Sequence, residues 1–201
     1  MKINLLKTLL TDPIAGWKRI HKEDFRMADC YARYVIPLAL IGPVAALIGT
    51  TRVGWQVGGS DVVRLTLDSA LRMSVSSFFA ILMVVFILAK TIHWMAGTYN
   101  AEQRLDTCVS LATFSATPLF LTGFAMVYPM PWFVYLLGLP ALSYSVALLY
   151  KGVPIMMEIN KEKAFLFSSA ILALGLVSLV GLIAATVSLW GVGFGPDFVT
   201  D

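Results

Sequence analysis

No aspartate or glutamate falls inside any of the five long apolar runs of this chain, Tyr34 to Thr50, Met73 to Ala96, Thr107 to Val127, Trp132 to Tyr150 and Ala164 to Trp190. Carriers coupled to protons or sodium hold the coupling ion on intramembrane carboxylates, so that chemistry has no residue to run on. Intramembrane aspartyl proteolysis is excluded on the same ground. Cysteine and histidine number two each, Cys30, Cys108, His21 and His93, without CxxC or HxxxH spacing. That leaves neither a disulfide framework nor a metal-ligand signature. GxSxG, HExxH and paired-carboxylate constellations are missing, as is any cofactor motif, so the chain reads as a non-enzyme without cofactor or metal.

Charge is scarce too, at 13% of residues, while hydrophobic residues reach 58% and the mean hydropathy is +0.80. Those values suit a chain whose solvent is lipid. Each run has about the length an α-helix needs to cross a hydrocarbon core of about 30 Å. None alternates with period two, which excludes a barrel. The expected fold is an all-α integral membrane protein, a five-helix transmembrane bundle over 34–192. Residues 1–33 would precede it as a cytoplasmic segment with an interfacial amphipathic helix, and 193–201 would follow as a short outer tail.

Orientation follows from the basic residues. Lys2, Lys7, Lys18, Arg19, Lys22, Arg26 and Arg33 precede or open the first run; Lys90, Arg104, Lys151, Lys161 and Lys163 fall on the same side. Only Arg52, Arg64 and Arg72 fall between the first two runs. The positive-inside rule puts the N-terminus in the cytoplasm and the C-terminus outside. Anionic headgroups account for the net charge of +3, so membrane lipids are expected partners and nucleic acid is not.

Asp12 followed by Pro13 marks a helix start. Ile14, Trp17 and Ile20 then form an apolar stripe, which fits either a helix lying in the interface with Trp17 at headgroup depth or one packed under the bundle. Gly58-Gly59 between β-prone stretches suggests a hairpin; the alternative starts the second span early, with Ser60 as its cap. Pro37, Pro43, Pro118 and Pro140 predict kinks in spans one, three and four. Span three carries a polar face at Thr113, Thr117 and Pro118, able to bond a neighbouring helix or its own backbone. Span five has small-residue pairs at Ser169/Ala173 and Gly181/Ala185, which predict close helix packing.

Lys90 and His93 lie one turn apart near the cytoplasmic end of span two. Lys90 either snorkels to the headgroups or pairs with Glu158 or a lipid phosphate. Gly152 and Pro154 are expected to end span four, with Ile155 to Ile159 turning back against the bundle and Glu158 reaching Arg33 or Lys90. Asn160 is placed to cap span five. Arg33, Lys90, His93 and Glu158 are therefore the candidate cytoplasmic-face cluster.

The stretches Ile48-Gly-Thr-Thr-Arg-Val-Gly-Trp, Ala116-Thr-Pro-Leu-Phe-Leu-Thr-Gly with Tyr128-Pro, and Leu148-Leu-Tyr-Lys-Gly-Val-Pro followed by Ile159-Asn-Lys-Glu-Lys-Ala resemble the bacterial branch of the Yip (Ypt/Rab-interacting protein) family. The resemblance implies five spans, a cytoplasmic N-terminus and a bacterial inner-membrane location. Eukaryotic relatives are associated with Rab GTPases. Their acidic Tyr-Gly-Pro motif is missing from the cytoplasmic segment here, and Ile41-Gly42-Pro43 is only a partial echo inside a span, so that role is not implied. The resulting expectation is a protein that binds or organises a lipid, a membrane-protein partner or a second copy of itself at the cytoplasmic face. The alternative is a small transporter, channel or lipid-translocating protein built on the kinked spans.

Overall fold

A computed structural model describes residues 3–56, 61–99, 101, 103–190 and 195–199. It begins with two short helices, α1 (Ile3–Thr11) and α2 (Pro13–Glu23). The Asp12 carboxylate accepts from the Ala15 N–H at 3.1 Å, with Pro13 supplying the preset φ of the first turn. Leu5, Leu6 and Leu9 of α1 and Trp17 and Ile20 of α2 are all buried. Gly16 lets the two helices touch, because a Cβ there would lie 2.5 Å from Leu9 Cα.

Trp17 is fully buried, which decides between the two readings of its helix. It sits within the bundle rather than among headgroups, while Ile14 of the same stripe remains 53% exposed. A glycine and a hydrogen bond explain the choice. Gly152 of span four opens a notch in which any Cβ would come 2.5 Å from the indole ring. The indole N–H then donates to Leu148 O at 3.0 Å, so the polar edge of the ring is satisfied in the core.

The first span, α3 (Met27–Val53), begins earlier than its apolar run and takes in Met27 to Arg33. Wide π-turns at Tyr31–Val35 and Gly49–Val53 flank its α-helical centre. The first of them ends two residues before Pro37, which relieves the clash that a proline ring makes with the turn below it. α4 (Leu67–Ala96) starts at Thr66, whose hydroxyl accepts from Ser69 N–H, not at Ser60. Before it, Trp55 and Val63 exchange both backbone hydrogen bonds, at 3.0 and 2.9 Å, as an antiparallel bridge. The Gly58-Gly59 turn expected between them lies outside the described residues.

Span three is broken. α5 (Leu105–Ser115) and α6 (Thr117–Thr122), which runs on into a 3₁₀ stretch at Gly123–Val127, meet at Ala116 with a bend of 44°. Pro118 cannot donate and crowds the preceding turn, so the expected kink is found here. α7 (Pro131–Met156) instead remains one helix through Pro140 and Pro154. The expected break at Gly152 and Pro154 therefore does not occur: Ile155 and Met156 stay helical, and the chain turns at Glu158, with φ of 53°. A membrane helix tolerates one lost hydrogen bond when its neighbours re-satisfy the backbone. α8 (Lys161–Leu189) is capped by Asn160, which accepts from Lys163 N–H at 2.9 Å.

Four helices are long and apolar enough to span a membrane, or up to five if the bent pair is one span. One end of the bundle carries α1, α2, residues 97–99 and 103–104, and the turn around 156–160. The other carries residues 54–56 and 61–66, against which 195–199 lies antiparallel: Leu65 bridges Phe198, Thr66 N–H donates to Asp197 O and Val199 N–H to Arg64 O. Residues 3–11 and 195–199 thus lie at opposite ends of the bundle.

The small residues of span five do not pack as expected. A Cβ on Gly175 or Gly181 would have no atom within 4 Å, and Ala173 is exposed; the side chain of Ala185 lies outside the description. Only Ser169 reaches a neighbour, through a 2.8 Å bond with Tyr150 Oη. The close helix crossings occur elsewhere, at Gly42 against Gly123 and at Gly49 against the Met126 backbone.

Candidate functional site

The four residues of the expected cytoplasmic-face cluster all lie toward the α1 and α2 end, yet each has a different partner. Arg33 pairs with Asp29 one turn earlier at 3.2 Å. Lys90 extends along its own helix with Nζ 5.8 Å from the Phe86 ring centroid, a cation–π contact. His93 donates from Nδ1 to Gln103 O at 3.0 Å; the carbonyl can only accept, so the proton is on Nδ1. Glu158 pairs with His21 at 3.0 Å, not with Arg33 or Lys90.

Docking of α2 explains the His21 pairing. With Trp17 seated against Gly152, the next turn of α2 comes under the end of α7, and His21 is the base that meets Glu158 as the chain turns there. The left-handed backbone of Glu158, uncommon for a residue with a Cβ, directs the chain into that contact.

A second cluster on the same face went unmarked by the sequence pattern. The Asp106 carboxylate accepts from Met27 N–H at 2.9 Å through Oδ1 and binds the Arg104 guanidinium through Oδ2. Arg104 also reaches Asp24 at 3.1 Å. Asp106 therefore caps the open N–H groups of span one from the first turn of span three, while Arg104 ties the end of α2 to both. Asp24, like Glu158, ends its helix in a left-handed conformation, with φ of 38°. An acid in the first turn of a helix is so ordinary that its position gave no signal.

Asp106→Ala is expected to lower stability in detergent by about 1–3 kcal/mol, because it strands the part-buried Met27 N–H and leaves Arg104 with Asp24 alone. Asp106→Asn keeps an acceptor and should cost less. Thermal unfolding of both variants checks this; equal melting of Asp106→Ala and the unaltered chain would remove the capping role.

The polar face of span three serves both purposes open to it. Thr113 Oγ1 donates back to Val109 O at 2.7 Å and receives the Cys30 thiol from span one at 3.8 Å. Thr117 Oγ1 bonds Thr113 O at 3.4 Å, and Thr117 and Pro118 are both buried. Among the described residues, no three His, Cys, Asp or Glu side chains converge as a metal site would need.

The comparisons with known proteins agree with this architecture. The Yip1 domain family model matches residues 7–182. The chain is 37% identical to the "Inner membrane protein YohC" of Escherichia coli strain K12 over 186 residues, 92% of this chain and 95% of that protein. The YohC of Escherichia coli O6:H1 gives the same values. No solved structure matches. A family match that takes in α2, the bent third span and nearly all of the membrane layer, together with that level of identity, makes this chain a member of the Yip1 domain family.

Proposed function

We propose that this protein is a non-enzymatic inner-membrane protein that gathers anionic lipid headgroups at the end of the bundle carrying α1 and α2, the end that the basic residues assign to the cytoplasm. The observation that carries the reading is the Trp17 lock. It fixes α2 against the bundle with Lys18 and Lys22 exposed, and Lys151 and Lys161, which flank the turn after α7, are exposed as well. Cations held on docked helices meet headgroups in a set array, and each basic residue near an anionic surface contributes about 1 kcal/mol. The inner-membrane location draws on the printed name of the YohC relatives. A carrier of ions finds less support, since the cavity among spans two to five is lined by uncharged side chains.

The test is the lipid that remains bound after extraction from mixed membranes containing phosphatidylglycerol. Replacing Lys18, Lys22, Lys151 and Lys161 together by Gln should reduce its enrichment at least about tenfold, with stability retained. Unchanged enrichment removes the proposal. Reporter fusions at Asn100 and Asp201 should report opposite compartments, with Asn100 cytoplasmic; the reverse would place the basic array on the wrong side.

A further inference from the structure

A cavity of about 420 Å³ lies between spans two, three, four and five. It exists because span three bends away at Ala116 while α8 packs only along its first half. The closed end is formed by buried Ile92, Leu149 and Ile171; toward the other end, Leu142, Leu176 and Leu179 are exposed and the cleft opens sideways to lipid. Its volume is within the range of small-molecule sites.

The lining contains no charged residue, and its polar side chains are three serines, Ser115, Ser145 and Ser178. Ser115 and Ser145 are 8% and 7% exposed, and neither hydroxyl has a hydrogen-bond partner. Two unpaired hydroxyls in one apolar cavity are costly without an occupant, since each buried polar group left unbonded is destabilising. Ser145 stands eleven residues before the end of α7, about 16 Å along the helix and so near mid-membrane.

We propose that this cavity binds one uncharged, elongated apolar molecule that brings a carbonyl or hydroxyl oxygen to Ser115 and Ser145. A carboxylate or phosphate would find no counter-charge there. An ester-linked acyl chain and a free isoprenoid alcohol or quinone share the required chemistry. The site is separate from the basic face, and its occupancy does not depend on headgroup charge.

The full chain in phosphatidylcholine nanodiscs is exposed to two photoactivatable probes, a phospholipid with a diazirine in one acyl chain and a diazirine-bearing isoprenoid alcohol. Labelling should saturate and map to cavity residues such as Leu142, Leu149 and Leu172, with the better-competing probe identifying the source. Gly175→Leu, whose side chain has free space to enter, should reduce that labelling at least about fivefold. The double change Ser115→Ala and Ser145→Ala should weaken binding about tenfold, yet leave the probe-free protein melting no lower than the unaltered chain. Lower melting would make the hydroxyls structural and overturn their role. Labelling spread equally over the lipid-facing Val177, Val180 and Ile183, or unmoved by Gly175→Leu, would overturn the site.

Discussion

Replacing Gly49 by valine is expected to prevent the bundle from assembling. A Cβ at this position falls inside contact distance of Met126 O and 2.9 Å from Val127 O, where span one leaves the membrane beside the end of span three. Those atoms are backbone, and their 3₁₀ turn is pinned between α6 and the Tyr128 to Met130 turn, so no side chain can rotate away. Overpacking ordinarily costs about 1–3 kcal/mol when side chains absorb it; here the cost should exceed that range. Size-exclusion profiles and melting in detergent measure the effect. Gly97→Ala is the matched control, since nothing lies within 4 Å of a Cβ there. If Gly49→Val elutes and melts like the control, the crossing of spans one and three is not what the structure describes.

Trp17→Ala should produce the other large loss, about 3–5 kcal/mol, the range for emptying a buried tryptophan site. Its phenotype is local before it is global: α2 leaves α7, His21 loses Glu158, and the helix unfolds enough for trypsin to cut after the already exposed Lys18 and Arg19. Trp17→Phe fills most of the notch but removes the bond to Leu148 O, so it should cost about 1 kcal/mol from that source. Gly152→Leu attacks the same joint from the opposite helix and should make the same tryptic sites cleavable. A tryptophan anchored among headgroups would behave otherwise, with Trp17→Ala leaving melting unchanged and Gly152→Leu silent.

Trp17 also shows where the sequence stops being legible. Periodicity placed Ile14, Trp17 and Ile20 on one stripe, but a stripe specifies an apolar partner without saying whether it is lipid or protein. The deciding residue, Gly152, is 135 positions away and reads locally as a helix breaker. Spans were legible because length and hydropathy alone define them, and Asp12, Pro13, Asn160 and Pro118 acted through neighbours within a few residues. The sequence marks Glu158 as a pairing residue but points to Arg33 or Lys90, because His21 reaches it only once α2 has docked. The small residues misled for a related reason: Gly181 and Gly42 look alike in sequence, and only the second faces another helix.

The pairing of 195–199 with the edge at Arg64 to Thr66 also orders assembly in time. Until that segment has been made, the edge at Arg64 to Thr66 lacks its backbone partners, and Arg72 has only Asp68 where it later also holds Asp197 at 3.1 Å. An early part of the protein thus stays unfinished until a late part arrives, so closure of that edge waits on every helix that lies between them in the chain. A fusion placed directly after α8 would forfeit that closure, producing a chain whose spans are all threaded but whose last joint never seals.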